Sequence, residues 1–534
     1  MPKITGGRAA IEAAKANGAE AVFGIPGIHN LAMYDALIDS GLKHYVARHE
    51  QGAGFMADGY ARATGRAAVC MPITGPGLTN AATPIAQAFS DSSPMLVLAS
   101  QIESDIADSR KGTLHELKNQ LAFMEQITEW AERASDPADC ARLVHKAFSW
   151  FRFRRPRPIH IEVPMDVQAE EAEVTIDASS DKPEALTPDE RDLERASQIL
   201  KRASNVVIYA GGGASSSGAG IEILKLSEML GAPVITTCQG KGCVPDDHPN
   251  VLGNTLMDAR VQQFLSDCDA TLAVGTHFGA SNTQSWTAKI PTPIVHIDID
   301  ESEFDRNYQA EVSIRSDAKT ALTRLIDCMG PVSRESRLSE LSKLKADILQ
   351  AQQKEIPWEI EHLNVMRECL GREGILVCDM TFMSYQATRY YPTYEPRTFL
   401  FPRGFGTLGF SPPAAMGAKI GCPDKRVISV VGDGGFLFTC TELATAAHYN
   451  IPIVIVLVNS NSYEVVKRSQ ARRFGEHRTI DVEVKNPDFI KLAESFGIWA
   501  TRAACVRTFE KALGEAVAQQ TPALIEIPFA PRGG

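Results

Sequence analysis

The sequence predicts an α/β protein of three doubly wound, parallel-sheet domains. Three successive stretches alternate short β-branched runs with helix-period segments, the pattern of repeated βαβ units. Several of those runs end in glycine-rich turns, GIPG, TGPG, GGGASSSG and GDGG, where a parallel strand hands over to a helix. The length, 534 residues, exceeds what one core organises and fits three domains.

The N-terminal segment MPKITGGRAAIEAAKANGAE reads as an alanine-rich amphipathic helix opening, not a secretory signal. The first domain is expected over residues 1–170, with strands at 21–23, 68–72, 95–99 and 159–163. A segment rich in Glu, Asp, Ser and Pro, 168–190, then reads as a linker. The second domain, 188–330, starts with a helix at 189–203 and a strand at 206–210 and continues through PVITT, TLAVG and IVHIDID. The charged, Leu-spaced segment 333–355 reads as a solvated connecting helix, and the third domain is expected over 350–530.

Composition sets the class. Hydrophobic residues make up 44% and charged residues 22%, ordinary for a globular protein. A net charge of −11 gives no global basic footprint, so no nucleic-acid partner is expected. Eleven cysteines without a C-x-x-C pair argue against structural zinc and a disulfide framework, and for a reducing, cytoplasmic compartment. The longest aliphatic stretch, 451–458 with Pro452 inside it, is too short to span a bilayer, so no membrane association is expected.

The most informative segment is RVISVVGDGGFLFTCTELATAAHYNIPIVIVLVNSNSY, residues 426–463. Residues 427–431 read as a buried strand, Gly432, Asp433, Gly434 and Gly435 as a tight turn, 441–449 as a helix and 453–458 as the next strand. One βαβ unit makes the two strands parallel and adjacent, so Asp433 and residues 459–462 leave the sheet at the same carboxyl edge, where such sheets bind ligands. The glycines let backbone amides approach a phosphate, and Asp433 supplies a hard oxygen for Mg²⁺ or Ca²⁺. An isolated Gly-Asp-Gly is more often a plain turn; the strand–turn–helix–strand frame favours a site.

This segment resembles the metal-binding motif of thiamine-diphosphate (ThDP) enzymes of the acetolactate synthase and 2-oxo acid decarboxylase superfamily. The resemblance implies Asp433, Ser460 and the Ser462 carbonyl as ligands of Mg²⁺, with Tyr463 beside the cofactor. Ser460 stands where the family has Asn, so Asn459 and Asn461 remain alternatives for that ligand. A second segment, ARHEQGAGFMADGYARATGR (residues 47–66), resembles the family's activating segment. The resemblance makes Glu50 the carboxylate that contacts the cofactor's aminopyrimidine ring. Apolar helix residues 52–61 are expected to surround it and keep it readily protonated; for an isolated Glu, a helix N-terminal acid would be the better reading.

Three further segments fit. ITGPGLTN resembles the loop beside the active site and contributes Thr74, Gly75 and Asn80. RGFGTLGFSPPAAMGAKIG resembles the loop supporting the cofactor's hinge, with Leu408 as the side chain that bends it and the Gly406 carbonyl as acceptor for the pyrimidine amino group. Asp379-Met380-Thr381-Phe382-Met383 falls where a strand end meets the diphosphate. The family's architecture implies a pyrimidine-binding, a central Rossmann-like and a diphosphate-binding domain, with Glu50 and Asp433 brought together from two subunits of a homodimer or dimer of dimers.

Substrate-side candidates are His115 in GTLHELKNQ, which also becomes a catalytic candidate, His29 in GIPGIHN, and Arg468 in a basic run with Lys467, Arg472 and Arg473. A surface histidine and a solvated basic face are the plain alternatives. GGGASSSG lacks a clean G-x-G-x-x-G, so neither FAD nor NAD is expected. The whole chain looks most like decarboxylases of amino-acid-derived 2-oxo acids, the 5-guanidino-2-oxopentanoate type among them. The expected reaction is decarboxylation of a 2-oxo acid, with release or transfer of the resulting enamine or aldehyde. Acetolactate-synthase-type carboligation is the alternative within the class, and a non-catalytic nucleotide-binding or assembly protein the alternative outside it.

Overall fold

The computed structural model describes residues 3–176, 186–332, 334 and 337–529. Residues 177–185 of the linker expected at 168–190 lie outside them. The chain divides into two compact units: one of Met1–Pro183, Leu376–Phe382 and Gly404–Gly534, the other of Glu184–Ile375 and Met383–Arg403.

Three parallel six-stranded sheets form the architecture, as the alternating pattern predicts. The N-terminal sheet runs Lys43–Val46, Ala21–Gly24, Ala68–Met71, Met95–Gln101, Ile159–Pro164, Ala131–Arg133. The central sheet runs Val251–Gly253, Val234–Thr236, Val206–Ala210, Ala270–Val274, Ile294–Asp298, Val312–Arg315. The C-terminal sheet runs Phe399–Leu400, Ile375–Cys378, Val427–Gly432, Val454–Asn459, Ala523–Pro528, Trp499–Arg502. Central strands such as Ala68–Met71 and Val454–Asn459 are buried almost throughout, because helices cover both faces of a parallel sheet. Val427–Gly432 pairs in parallel with Val454–Asn459, Val431 opposite Leu457 and Gly432 opposite Val458, so Asp433 and Asn459 emerge side by side.

In the first unit, helix Glu50–Thr64 packs on helix Ser411–Gly421 with backbone nearly touching backbone. A Cβ at Gly59 would land on the Ala414 carbonyl, and one at Gly417 on the Met56 carbonyl. The Phe55 and Phe410 rings meet edge to face, 5.6 Å apart, beside this crossing.

Several expectations need correction. Residues 432–435 are not a turn: the strand ends at Gly432 and the helix Asp433–Thr439 starts at the next residue. The helix expected at 441–449 is a 3₁₀ turn, Cys440–Glu442, followed by Leu443–His448. The linker does not begin at 168. Buried Gln168 donates to the His29 and Val163 carbonyls, and Glu171–Glu173 pairs antiparallel with Lys3–Thr5. Helix Leu338–Glu355 is not merely solvated, since Leu341, Leu344 and Ile348 enter the core of the second unit.

Gly59→Ala should lower the unfolding midpoint by the equivalent of about 1–3 kcal/mol, the usual range for overpacking. Chemical denaturation of the purified variant against the wild type checks it.

Candidate active site

At the carboxyl edge of the C-terminal sheet, Asp433 is 2% exposed and is the first residue of its helix. Ser460 Oγ lies 3.4 Å from Asp433 Oδ1 and donates to the Ser462 carbonyl at 2.9 Å. Asn486 Nδ2 donates to Asp433 Oδ2 at 2.7 Å. Asn459 turns aside: its Nδ2 donates to Glu526 at 2.7 Å, and its Oδ1 accepts from the Asn461 amide. Asn461, at φ 51°, accepts from Asn486 and has no hydrogen bond to Asp433 among the described contacts. Of the three residues open for the second side-chain ligand, Ser460 is the one against Asp433.

The glycines here make a cradle that side chains would fill. A Cβ on Gly432 would come within 2.9 Å of Thr381 Oγ1, on Gly434 within 2.6 Å of the Tyr463 ring, and on Gly435 within 3.1 Å of Asp379 Oδ1. Asp379 is buried and accepts from the amides of Met380 at 2.8 Å, Gly409 at 3.3 Å and Ser411 at 2.9 Å. Burial pushes its carboxyl up to about 6, against the pull of those amides. It ties the 379–383 segment to the loop carrying Gly406 and Leu408. The Phe382 and Phe529 rings meet at a tilt of 39°, centroids 5.4 Å apart, and the Arg468 guanidinium sits 4.1 Å over the Phe382 ring while pairing with Glu464 at 2.6 Å. Met383 is fully buried.

That loop is also held by the N-terminal stretch. Gln87 Oε1 accepts from the amides of Gly406 at 3.1 Å and Thr407 at 3.4 Å, and Asp91 accepts from the Gly404 amide at 2.9 Å. Gln87 and Asp91 are linked at 2.6 Å, and Arg62 pairs with Asp91 at 3.0 Å. Leu408 is half-buried and Gly406 adopts φ 78°, a conformation glycine takes without strain.

Glu50 opens its helix half-buried and accepts from Asn80 Nδ2 at 3.0 Å. The glycines that follow it pack against other elements: Gly52 against the Glu442 side chain, Gly54 against the Pro84 ring and Gly59 against the Ala414 backbone. The segment before Glu50 is fixed by buried Glu442, which accepts from the amides of Arg48 and His49 at 3.1 and 3.0 Å. Burial raises the Glu442 carboxyl, while Thr445 and those amides oppose the rise. No hydrogen bond or ion pair joins Glu50 to Asp433 among the described residues.

His29 and His115, far apart in sequence, stack with ring centroids 4.8 Å apart. Burial, then the neighbouring His115, lowers the His29 imidazole; Glu103 works against them. The Nδ1 atoms of both rings are buried without a partner. His115 adopts φ 67°, and its carbonyl occupies the space a Cβ on Gly75 would need. Behind this corner Gln120 accepts from the Thr74 hydroxyl at 2.6 Å and the Gly75 amide at 3.3 Å and donates to Glu162 at 2.8 Å. Arg133 joins Glu162, at 2.5 Å, to Asp108 of the His115 loop, at 2.8 Å.

The donor set fits a magnesium ion that takes few protein ligands and keeps water or phosphate oxygens for the rest. Ser460 Oγ is 3.4 Å from Asp433 Oδ1 and 2.9 Å from the Ser462 carbonyl, and Asn486 Oδ1 is buried without a partner. No cluster of three His, Cys, Asp or Glu side chains able to cage a metal occurs among the described residues.

Residues 4–123 match the N-terminal TPP binding domain of thiamine pyrophosphate enzymes, 193–325 their central domain and 379–527 their C-terminal TPP binding domain. The chain belongs to the thiamine pyrophosphate enzymes. A probable 2-ketoarginine decarboxylase of Pseudomonas aeruginosa is 35% identical, covering 99% of this chain and 94% of that protein. A probable acetolactate synthase large subunit of Methanocaldococcus jannaschii is 34% identical with the same coverage. The acetolactate synthase large subunit of Corynebacterium glutamicum is 33% identical over 94% of this chain and 82% of its own.

In this thiamine pyrophosphate enzyme, sequence reasoning missed Gln87, Gln120, Glu442 and Asn486, polar residues that act through partners distant in sequence. Glu442 lies inside the segment quoted above, but no spacing rule connects it to Arg48 and His49. Helix Glu464–Phe474, carrying Arg468, Arg472 and Arg473, has no buried residue. Gly211 and Gly213, in the GGGASSSG turn, are taken up by close approach to the Gly275 backbone. Among the described residues no helix is long and apolar enough to cross a membrane.

Asp379 gives a pH signature. Its folded value, about 6, lies above the ordinary 3.8, so the folded state holds the extra proton between them and stability falls as pH rises through that window. The stability of the wild type relative to Asp379→Asn should therefore decline from about pH 4 to 6 and level off above. Denaturation midpoints of both proteins across that range check it.

Proposed function

We propose that this thiamine pyrophosphate enzyme is a Mg²⁺-dependent decarboxylase that releases an aldehyde from an amino-acid-derived 2-oxo acid. The observation that carries the choice of decarboxylation is the stacked His29–His115 pair beside the Thr74–Gly75 turn. Two imidazoles with buried, unengaged nitrogens can supply the proton that an aldehyde product requires. The 35% identical relative named for 2-ketoarginine decarboxylation supports the same reading.

When bound, ThDP supplies the electron sink for loss of CO₂. The chain's residues hold and orient it. Asp433, Ser460 and the Ser462 carbonyl would hold Mg²⁺, while the cradle of Gly432, Gly434, Gly435, Thr381 and Tyr463 would receive the diphosphate at a helix N-terminus. Phe382, next to Thr381 in the chain, would back that cradle. Leu408 and Gly406, on the loop held by Gln87, would support the cofactor's middle. Glu50 would hold a proton against the pyrimidine ring, with Asn80 steadying its carboxylate, and Thr74 and Gly75 would flank it. His115 is the proposed proton donor to product and His29 its partner. Arg468 is the weaker substrate residue, because Glu464 and the Phe382 ring already hold its guanidinium.

The division into domains at 1–170, 188–330 and 350–530 belongs to this reading. So does a homodimer or dimer of dimers, in which Glu50 of one subunit meets the Asp433 site of another, and a cytoplasmic location. Carboligation is the second reading, favoured by the acetolactate synthase relatives at 34% and 33% identity.

CO₂ release and product analysis over a panel of 2-oxo acids, including pyruvate and 2-ketoarginine, with and without ThDP and Mg²⁺, test the proposal. Aldehyde as the main product supports it; a carboligation product points to the second reading, and no ThDP-dependent turnover of any 2-oxo acid rejects both. Glu50→Gln should keep cofactor binding and lose roughly 100-fold or more in kcat. Asp433→Ala should lose cofactor binding, read by quenching of intrinsic fluorescence. His115→Phe should bind ThDP normally and release aldehyde roughly 100-fold more slowly.

A further inference from the structure

Asp433 is buried, and a buried carboxylate needs both oxygens engaged. One oxygen must also be presented in a fixed direction if it is to ligate a cation. Ser460 does this poorly. Its single hydroxyl proton is committed to the Ser462 carbonyl at 2.9 Å, and it stands 3.4 Å from Asp433 Oδ1, too long for a firm hydrogen bond. The short contact to the carboxylate comes from Asn486, whose Nδ2 reaches Oδ2 at 2.7 Å.

The same Nδ2 lies 3.2 Å from the side-chain oxygens of both Asn459 and Asn461. Its two protons can serve Asp433 and one of these, cross-linking the end of strand Val427–Gly432 to the turn after strand Val454–Asn459. Only this amide orientation sets a donor against the carboxylate. The backbone behind Asn486 is also constrained. Pro487 follows, restricting residue 486 to extended conformations, and Asp488 caps the next helix by accepting from Ile490 and Lys491. Asn486 Oδ1 is buried and has no partner, an acceptor in reserve beside a buried carboxylate.

We propose that Asn486 is a metal-positioning residue. It fixes the Asp433 carboxylate through Oδ2 so that Oδ1 faces the cation, and its free Oδ1 serves the hydration shell that Mg²⁺ keeps. It thereby makes good the amide that Ser460 lacks. This rests on the Mg²⁺–diphosphate reading proposed above.

The test is a Mg²⁺ titration of full-length protein at saturating ThDP, read by isothermal calorimetry or intrinsic fluorescence, with no substrate present. Asn486→Ala should raise the Mg²⁺ Kd roughly 10- to 100-fold, the usual effect of removing a group that orients a metal ligand. The apo-protein's melting temperature should not move. Ser460→Asn, introduced into the Asn486→Ala protein, should recover most of the lost affinity by restoring an amide next to Asp433. An unchanged Kd in Asn486→Ala overturns the inference. So does a loss that Ser460→Asn fails to recover, or one matched by a fall in apo-protein melting temperature. Should Asn486→Ala not fold, Asn486→Ser carries the same comparison. A wild type that binds no ThDP with Mg²⁺ would instead fell the cofactor reading itself, and this inference with it; normal wild-type binding isolates the failure to Asn486.

Discussion

The near-contact of backbone between helices Glu50–Thr64 and Ser411–Gly421 is the constraint on which the first unit depends. Dispersion at such a crossing falls steeply with separation, and a single added carbon at Gly59 or Gly417 has nowhere to go except into a carbonyl. The close fit brings segments 319 to 394 residues apart within hydrogen-bond reach. Glu442 can then receive the amides of Arg48 and His49, and Gln87 those of Gly406 and Thr407. The residue that would meet the pyrimidine ring and the loop that would support the cofactor's middle are thus held by opposite ends of the chain. A glycine-lined helix pair does here what a longer core would do with large side chains.

Two buried carboxylates of the first unit, Asp379 and Glu162, are satisfied in networks. Asp379 collects three backbone amides, and Glu162 collects Arg133, Gln101 and Gln120. Their outcomes differ for one reason. Asp379 faces only neutral amides, so desolvation dominates and its carboxyl titrates near 6. Glu162 is buried too, but its contacts with His160 and the Arg133 guanidinium hold its carboxyl below the usual range. The first makes a pH-sensitive joint next to the glycine cradle around Gly435, the second an ionic anchor for the loop bearing His115.

Much of this was legible along the chain. The buried strands Ala68–Met71, Val206–Ala210, Val427–Gly432 and Val454–Asn459 announce themselves as apolar runs, and Asp433 and Glu50 sit at strand ends with recognisable neighbours. Edge strands were not legible. Lys43–Val46 and Ala131–Arg133 carry charged or half-exposed residues because one side of each faces no partner strand. Helix Leu338–Glu355 was misjudged because its mean composition is polar, while Leu341, Leu344 and Ile348 still form a buried stripe.

By itself the sequence determined the periodic quantities: sheet type, strand ends, the parallel pairing across Asp433 and the small-residue helix after Glu50. These follow from local spacing, since a period of two or of 3.6 is written into neighbouring residues. Tertiary structure alone decided which polar side chains share a site. It set Asn486 rather than Asn459 against Asp433, stacked His29 on His115, and set Gly59 against the backbone of helix Ser411–Gly421. Such pairings depend on where distant segments are brought by packing, and no local pattern encodes that distance.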